Sequence, residues 1–198
     1  MVSVMTEIDI HTQILEAAEA RFQQYGYNKT TMAEISRDCD MSAANLYRYF
    51  ENKLDIAAAI SQQCLDEKEL VLASVVHDAS LSASEKLEGF VLEVLHYTYN
   101  HFDVSPKLSE LVEAMSAHRP DMVAKHIGSK LKLLSELVEQ GQKSGEFQLE
   151  SVSETADGIL TAIMLFYYPL TLKMFPLEVL EVKATNLCRL LLAGLTAR

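Results

Sequence analysis

Glycine and proline are scarce in this chain, 7 and 4 among 198 residues. A β-rich fold with many tight turns needs more of both, so their scarcity argues against one and for an all-helical protein. Cysteine is scarcer still. Cys39, Cys64 and Cys188 are odd in number, far apart and at no metal-binding spacing, which rules against an even disulfide set and points to a reducing interior. The longest apolar stretch, Ile159 to Leu172, is 14 residues even counting its threonines and Pro169. A membrane span needs about 20. The N-terminus shows no charged-then-apolar signal pattern either, so the expected place is the cytoplasm, with no membrane partner.

Catalytic signatures are missing as well. There is no G-x-S-x-G, no glycine-rich phosphate loop and no carboxylate pair tied to a strand end, so no enzyme is expected and the acidic runs read as solvated helix faces. Of the six histidines, His96, His101, His118 and His126 are the metal candidates, but none stands in an H-x₃-H or HExxH arrangement. Neither metal nor cofactor is expected.

Positive charge is the last shortage. The chain carries a net charge of −11, whereas nucleic-acid binders usually show a basic footprint. Residues 1–55 hold five basic side chains (Arg21, Lys29, Arg37, Arg48, Lys53) against nine acidic ones, a net of −4.

What is present is helical punctuation. Apolar residues make up 49% of the chain, enough for a sizeable core. Ile14, Ala17, Ala18 and Phe22 follow the 3.6-residue period up to Gly26, a residue suited to the left-handed C-terminal cap. Thr31 with Glu34 forms a capping box, Ser42 caps the next short helix, and Asn52 opens a long one running to about Val76. Ser82 with Glu85 and Ser151 with Glu154 are further boxes, and Pro106, Pro120 and Pro176 stand at helix starts. About nine helices result: a small three-helix head, residues 1–51, and a larger helical body, residues 52–198.

Two short helices joined by a tight turn at Asp40-Met41 describe a helix-turn-helix. Leu46 and Phe50 are spaced to pin the second helix onto Ile35, Leu15 and Phe22, leaving Ala43, Ala44, Asn45, Tyr47, Arg48 and Tyr49 on other faces. The small N-terminal turn suits close entry into a major groove. Alanine methyls can meet thymine methyls, Asn45 an adenine edge, and Arg48 a guanine or a phosphate. Tyr47 and Tyr49, with Lys53 and the capped start at Thr31, can hold the phosphate backbone.

The stretch Ile14–Ile60, with "YGY" before "TT", then "MAEI" and "S-x-x-N-L-Y-x-Y-F-x-N-K", resembles the DNA-binding head of the TetR family of bacterial transcriptional regulators. The resemblance implies base or groove contacts at Ala43, Ala44 and Asn45, and backbone contacts from Thr31, Ser42, Tyr47, Tyr49 and Lys53. Three departures stand out. Asp40 occupies the turn position where the family usually has Gly, Ala43 replaces an often long polar residue, and "EIDIHTQ" lacks the arginines that commonly precede the first helix. So few cations imply weak non-specific binding and a shallow salt dependence, below about 8 per dimer.

In the body, the run Ile159–Tyr168 is apolar almost all round, and Leu180, Ala184, Leu187 and Leu191 repeat at 3-4 spacing. Two such helices from each of two chains can form a four-helix homodimer interface, with Leu160, Met164 and Tyr168 on the first and the leucine stripe on the last. Phe90, Val94, Tyr97 and His101, with Leu111, Met115, Ile127, Leu131, Phe166 and Tyr167, can line an apolar pocket for a small-molecule effector. The expectation is a homodimeric repressor that binds double-stranded operator DNA and is released by a largely apolar effector. The alternative is a helical adapter that works through a protein partner and keeps a vestigial head.

Overall fold

The computed structural model of the chain describes residues 7–102, 107–172 and 174–196. Among these lie eleven helical segments: α1 (Glu7–Tyr25), α2 (Met32–Asp38), α3 (Ala43–Leu46), α4 (Lys53–His77), α5 (Ala83–Phe102), α6 (Leu108–His118), α7 (Pro120–Ser144), α8 (Val152–Ala162), α9 (Met164–Tyr167), α10 (Pro169–Leu172) and α11 (Leu177–Leu195). The described residues form no strand, only an isolated bridge between Phe147 and Thr196. None of their helices is long and apolar enough to cross a membrane.

Most helix ends obey the local signals. Thr31 and Glu34 close a reciprocal capping box, Ser82 and Glu85 another, and the side chains of Ser42, Asn52 and Ser151 each accept a first-turn amide. Gly26 stands at φ +92°, the left-handed cap expected of it, and Gly145, just past the end of α7, at φ +78°. Pro120 opens α7, Pro176 sits one residue before α11, and Pro106 lies outside the described residues.

One expected helix breaks. The run from Ile159 is not continuous: α8 ends at Ala162, with Ile163 as its C-cap, and Tyr168 is extended at φ −93°, ψ 113°. The ring of Pro169 clashes with helical geometry in the residue before it, which drives Tyr168 out of the helix. The count therefore rises from nine to eleven.

The chain divides into two compact units, Met1–Cys64 with Ser105–Val123 and Leu65–Val104 with Ala124–Arg198, rather than the contiguous 1–51 and 52–198 read from sequence. In the first, Ile14, Leu15, Ala18, Phe22, Ile35, Leu46 and Phe50 are buried together with Ile56 and Ala57 of α4. The reason α6 joins them is polar as well as apolar. Lys107 Nζ donates to the Gln24 carbonyl at the end of α1, and the Glu110 carboxylate accepts the Asn28 amide at 2.8 Å. A Cβ on Gly26 would stand 2.8 Å from that carboxylate, so close approach and positive φ both require glycine there.

The second unit is one apolar cluster built from Leu87, Phe90, Val91, Val94, Leu134, Leu137, Ile159, Phe166, Leu180 and Ala184, among others. Here α11 packs chiefly on α5. Glu146 accepts the Ala83 and Ser84 amides at 2.8 and 2.9 Å, tying the α7–α8 link to the start of α5. Phe147 lies over Gly141, where a Cβ would come within 2.2 Å of the ring.

Candidate nucleic-acid interface

The turn between α2 and α3 is built by hydrogen bonds within the seven residues from Ile35 to Met41. Cys39 N donates to Ile35 O at 3.1 Å and Met41 N to Ser36 O at 2.9 Å, which closes the end of α2 around Asp40 at φ +52°. Aspartate accepts this left-handed geometry better than most side chains, so the departure from glycine is tolerated. Gln13 Nε2 donates to Cys39 O at 3.3 Å, anchoring the turn to α1. Ser42 then accepts the Asn45 amide at 3.2 Å and starts α3. Leu46 and Phe50 are buried as their spacing predicts, and the His11 ring lies tilted against Phe50 with ring centroids 4.7 Å apart.

With Leu46 pointing inward, α3 presents its other faces outward. Ser42, Ala44, Tyr47 and Arg48 are exposed, Tyr47 at 53%. Ala43, Asn45 and Tyr49 are half-buried beside them. Two expected backbone contacts have other partners. Thr31 Oγ1 donates to Glu34 Oε2 at 2.8 Å and the Thr31 amide to the same oxygen at 2.9 Å, so a carboxylate already fills the start of α2. Those bonds hold the Glu34 carboxyl below the usual carboxylate range.

Lys53 is turned inward. Its Nζ donates to the Tyr27 and Thr30 carbonyls at 2.6 and 2.8 Å and lies 4.2 Å from the Tyr27 ring centre, and burial lowers its pKa. Arg21 is equally committed. It forks onto Asp38 at 2.6 and 3.0 Å and reaches Glu34 at 3.4 Å. Among the five cations of residues 1–55, Lys29, Arg37 and Arg48 are the exposed ones.

The expected effector residues do not share one unit. Leu111 and Met115 are buried in the first; Phe90, Val94 and Phe166 are buried in the second, with Tyr97, Leu131 and Tyr167 partly so. Ile127 is 39% exposed and stays out of that core, and the His101 side chain lies outside the described residues. The expected partner-facing stripe also moves. Leu160, Leu180 and Ala184 are buried in the chain's own cluster, with Leu187 and Leu191 packed against it. The chain's own core therefore takes the richer leucine face of α11, leaving Val179, Val182 at 60% and Leu190 at 72% exposed, along with Met164 and Tyr168 of the expected set.

Sequence reasoning missed Glu110 and two lysines. Lys68 (4% exposed) and Lys130 (2% exposed) are buried in the second unit. Lys68 Nζ donates to Thr98 Oγ1 at 2.5 Å. Lys130 has the Tyr167 ring at 4.3 Å, and among the described residues no carboxylate lies within ion-pairing distance of it. Even a desolvated cation–π contact contributes about 2 kcal/mol, while withdrawing an ammonium from water costs several kcal/mol. The ring does not offset the burial. The overlooked signal was positional: Lys130 falls in the 3-4 spaced apolar stripe Leu134, Leu137 and Val138, and Lys68 lies four residues from Leu72.

A two-helix reading head with a polar, aromatic outer face is that of a DNA-binding transcriptional regulator. The family model described as "Bacterial regulatory proteins, tetR family" matches residues 14–60, and that described as "Tetracyclin repressor-like, C-terminal domain" matches residues 83–188. The chain belongs to the tetR family. It is 25% identical over 167 residues to the HTH-type transcriptional repressor BepR of Brucella suis, covering 76% of this chain and 75% of that one. A transcriptional regulator from Cytophaga hutchinsonii has the same fold at TM-score 0.74 and 19% identity, covering 94% and 98% of the two chains. A SmeT–triclosan complex matches at TM-score 0.69 and 17% identity over 95% and 92%.

Proposed function

We propose that this regulator is a cytoplasmic repressor that binds a palindromic operator as a homodimer and leaves it when a small, largely apolar effector enters the second unit. The observation that carries the DNA reading is the outer face of α3: Ser42, Ala44, Tyr47 and Arg48 exposed, with Asn45 beside them, on a helix pinned by Leu46 and Phe50. Asn45 reads a base edge, and Tyr47, Tyr49 and the Ser42 hydroxyl fix the register on phosphates. Homodimerisation is supported by the apolar side chains left in water on α11 (Val179, Val182 and Leu190), on α9 (Met164) and just after it (Tyr168). Repression is supported by the kinship with BepR, and a small-molecule ligand by the triclosan-bound fold relative.

The test is selection of random duplex DNA by the purified protein at moderate salt, followed by sequencing. An enriched palindrome with half-sites about one helical turn apart, lost on Asn45→Ala, is the expected result. No enrichment from a folded, dimeric protein would turn the proposal toward the adapter reading.

A further inference from the structure

We infer that Lys130, with Lys68 beside it, is the anion-recognising end of a small-molecule site in the second unit, and that the site takes an amphipathic monoanion: a carboxylate on an apolar or aromatic body. This rests on the effector reading and narrows its ligand class.

Three observations carry it. Four helices bring the groups together: Lys68 from α4, Tyr97 and Thr98 from α5, Lys130 with His126 from α7, and Tyr167 from α9. Lys130 is 2% exposed, yet among the described residues neither an ion pair nor a hydrogen bond reaches its ammonium. Every fully enclosed side-chain nitrogen or oxygen among them has a hydrogen-bond partner, so the Lys130 ammonium keeps some accessible surface. The walls, finally, are apolar and aromatic. Tyr167 packs on the cluster that holds Phe90, Val94 and Phe166.

A buried lysine without a counter-ion costs stability, as a desolvated charge or as the forced loss of its proton, and a ligand that supplies the missing charge recovers that cost. A single negative charge matches the one lysine of this cluster that lacks a polar partner among the described residues. Burial and the neighbouring Lys68 bring the Lys130 pKa down to about 6, and burial brings that of His126 down to about 3. Among the described residues, the other titratable groups in contact with these are Tyr97, Tyr167, whose pKa burial raises, and Glu67, 3.5 Å from the Tyr97 hydroxyl at the exposed margin. Near pH 7.5, carboxylate binding therefore draws a proton onto Lys130.

The experiment is calorimetric titration of the full chain with two matched pairs, octanoate against octanamide and 4-phenylbutyrate against 4-phenylbutyramide, in buffers of low and high ionisation enthalpy. In at least one pair the acid is expected to bind about ten-fold or more tighter than its amide, with uptake of about one proton. Lys130→Met, which keeps the volume, is expected to bring the pair within about two-fold and abolish the proton uptake, while Lys130→Arg keeps the preference for the acid. Amides binding as well as acids, no binding in either pair, or a preference that survives in Lys130→Met would overturn the inference. A parallel arm with the selected operator duplex separates the two readings. A carboxylate that binds without releasing DNA upholds the anion site and removes the effector-release proposal. An amide that binds and releases DNA does the reverse.

Discussion

Both compact units take basic side chains out of water, and they treat them in opposite ways. In the first, Arg21 is forked onto Asp38, and Lys53 is bonded to two backbone carbonyls and stacked on Tyr27. In the second, Lys130 is more deeply buried and, among the described residues, has only the face of Tyr167. A satisfied buried cation is part of the fold, since removing it orphans its acceptors. One that is left unsatisfied weakens the fold, and its retention marks a place where something else completes the site.

The contrast is sharpest as a pair of substitutions with opposite sign. Lys53→Met is expected to destabilise the protein by about 3 kcal/mol, because two charge-assisted hydrogen bonds disappear and the Tyr27 and Thr30 carbonyls lose a donor. Urea unfolding measures this; an unchanged midpoint would mean that Lys53 does not clamp the turn after α1. Lys130→Met is expected to stabilise the ligand-free protein by about 2 kcal/mol, as replacement of a buried charge by a well-packed apolar group often does. A clear loss of stability would place Lys130 with Lys53 and erase the contrast.

The pH dependence sharpens it further. Lys130 gives up its proton near pH 6 in the folded chain and near 10.5 when unfolded. Between those values the unfolded chain holds the extra proton, so its contribution to stability rises with pH from about 6 to about 10.5. Below about pH 6 both states are protonated and the cost of the buried charge is fully present. The stability advantage of Lys130→Met over the parent chain should therefore shrink as pH climbs through that window. A constant difference would show that Lys130 is not the group that titrates.

Much of the head was legible because its signals are short-range. The caps at Thr31, Ser42 and Asn52 act over three residues, and the pinning of α3 by Leu46 and Phe50 over four. The all-helical fold follows from the same signals repeated down the chain. The misreadings are long-range. Two faces of α11 are apolar, and only packing against α5 decides that Leu180 and Ala184 go inside while Val182 and Leu190 stay out. The one local mark on Lys130, its place in an apolar stripe, does not settle its burial, since a lysine in such a stripe usually snorkels to water. Nor does the neighbourhood of Lys53 announce that its ammonium is held by carbonyls 23 and 26 residues earlier. Thr31 is the converse case: the capping box was read correctly, but it fills the very helix start expected to meet a phosphate.

The most direct measurement is the salt dependence of binding to the selected operator. With Arg21 and Lys53 committed to the fold, Lys29, Arg37 and Arg48 are the cations each head can offer. In the proposed homodimer two heads neutralise roughly six phosphates, giving a slope of log Kd against log salt of about 5. Arg48→Ala in both subunits should lower it by about 2. A slope above about 8 in the parent protein would contradict this division of the cations, because it would require those already tied into the fold, or others outside the head, to meet the DNA.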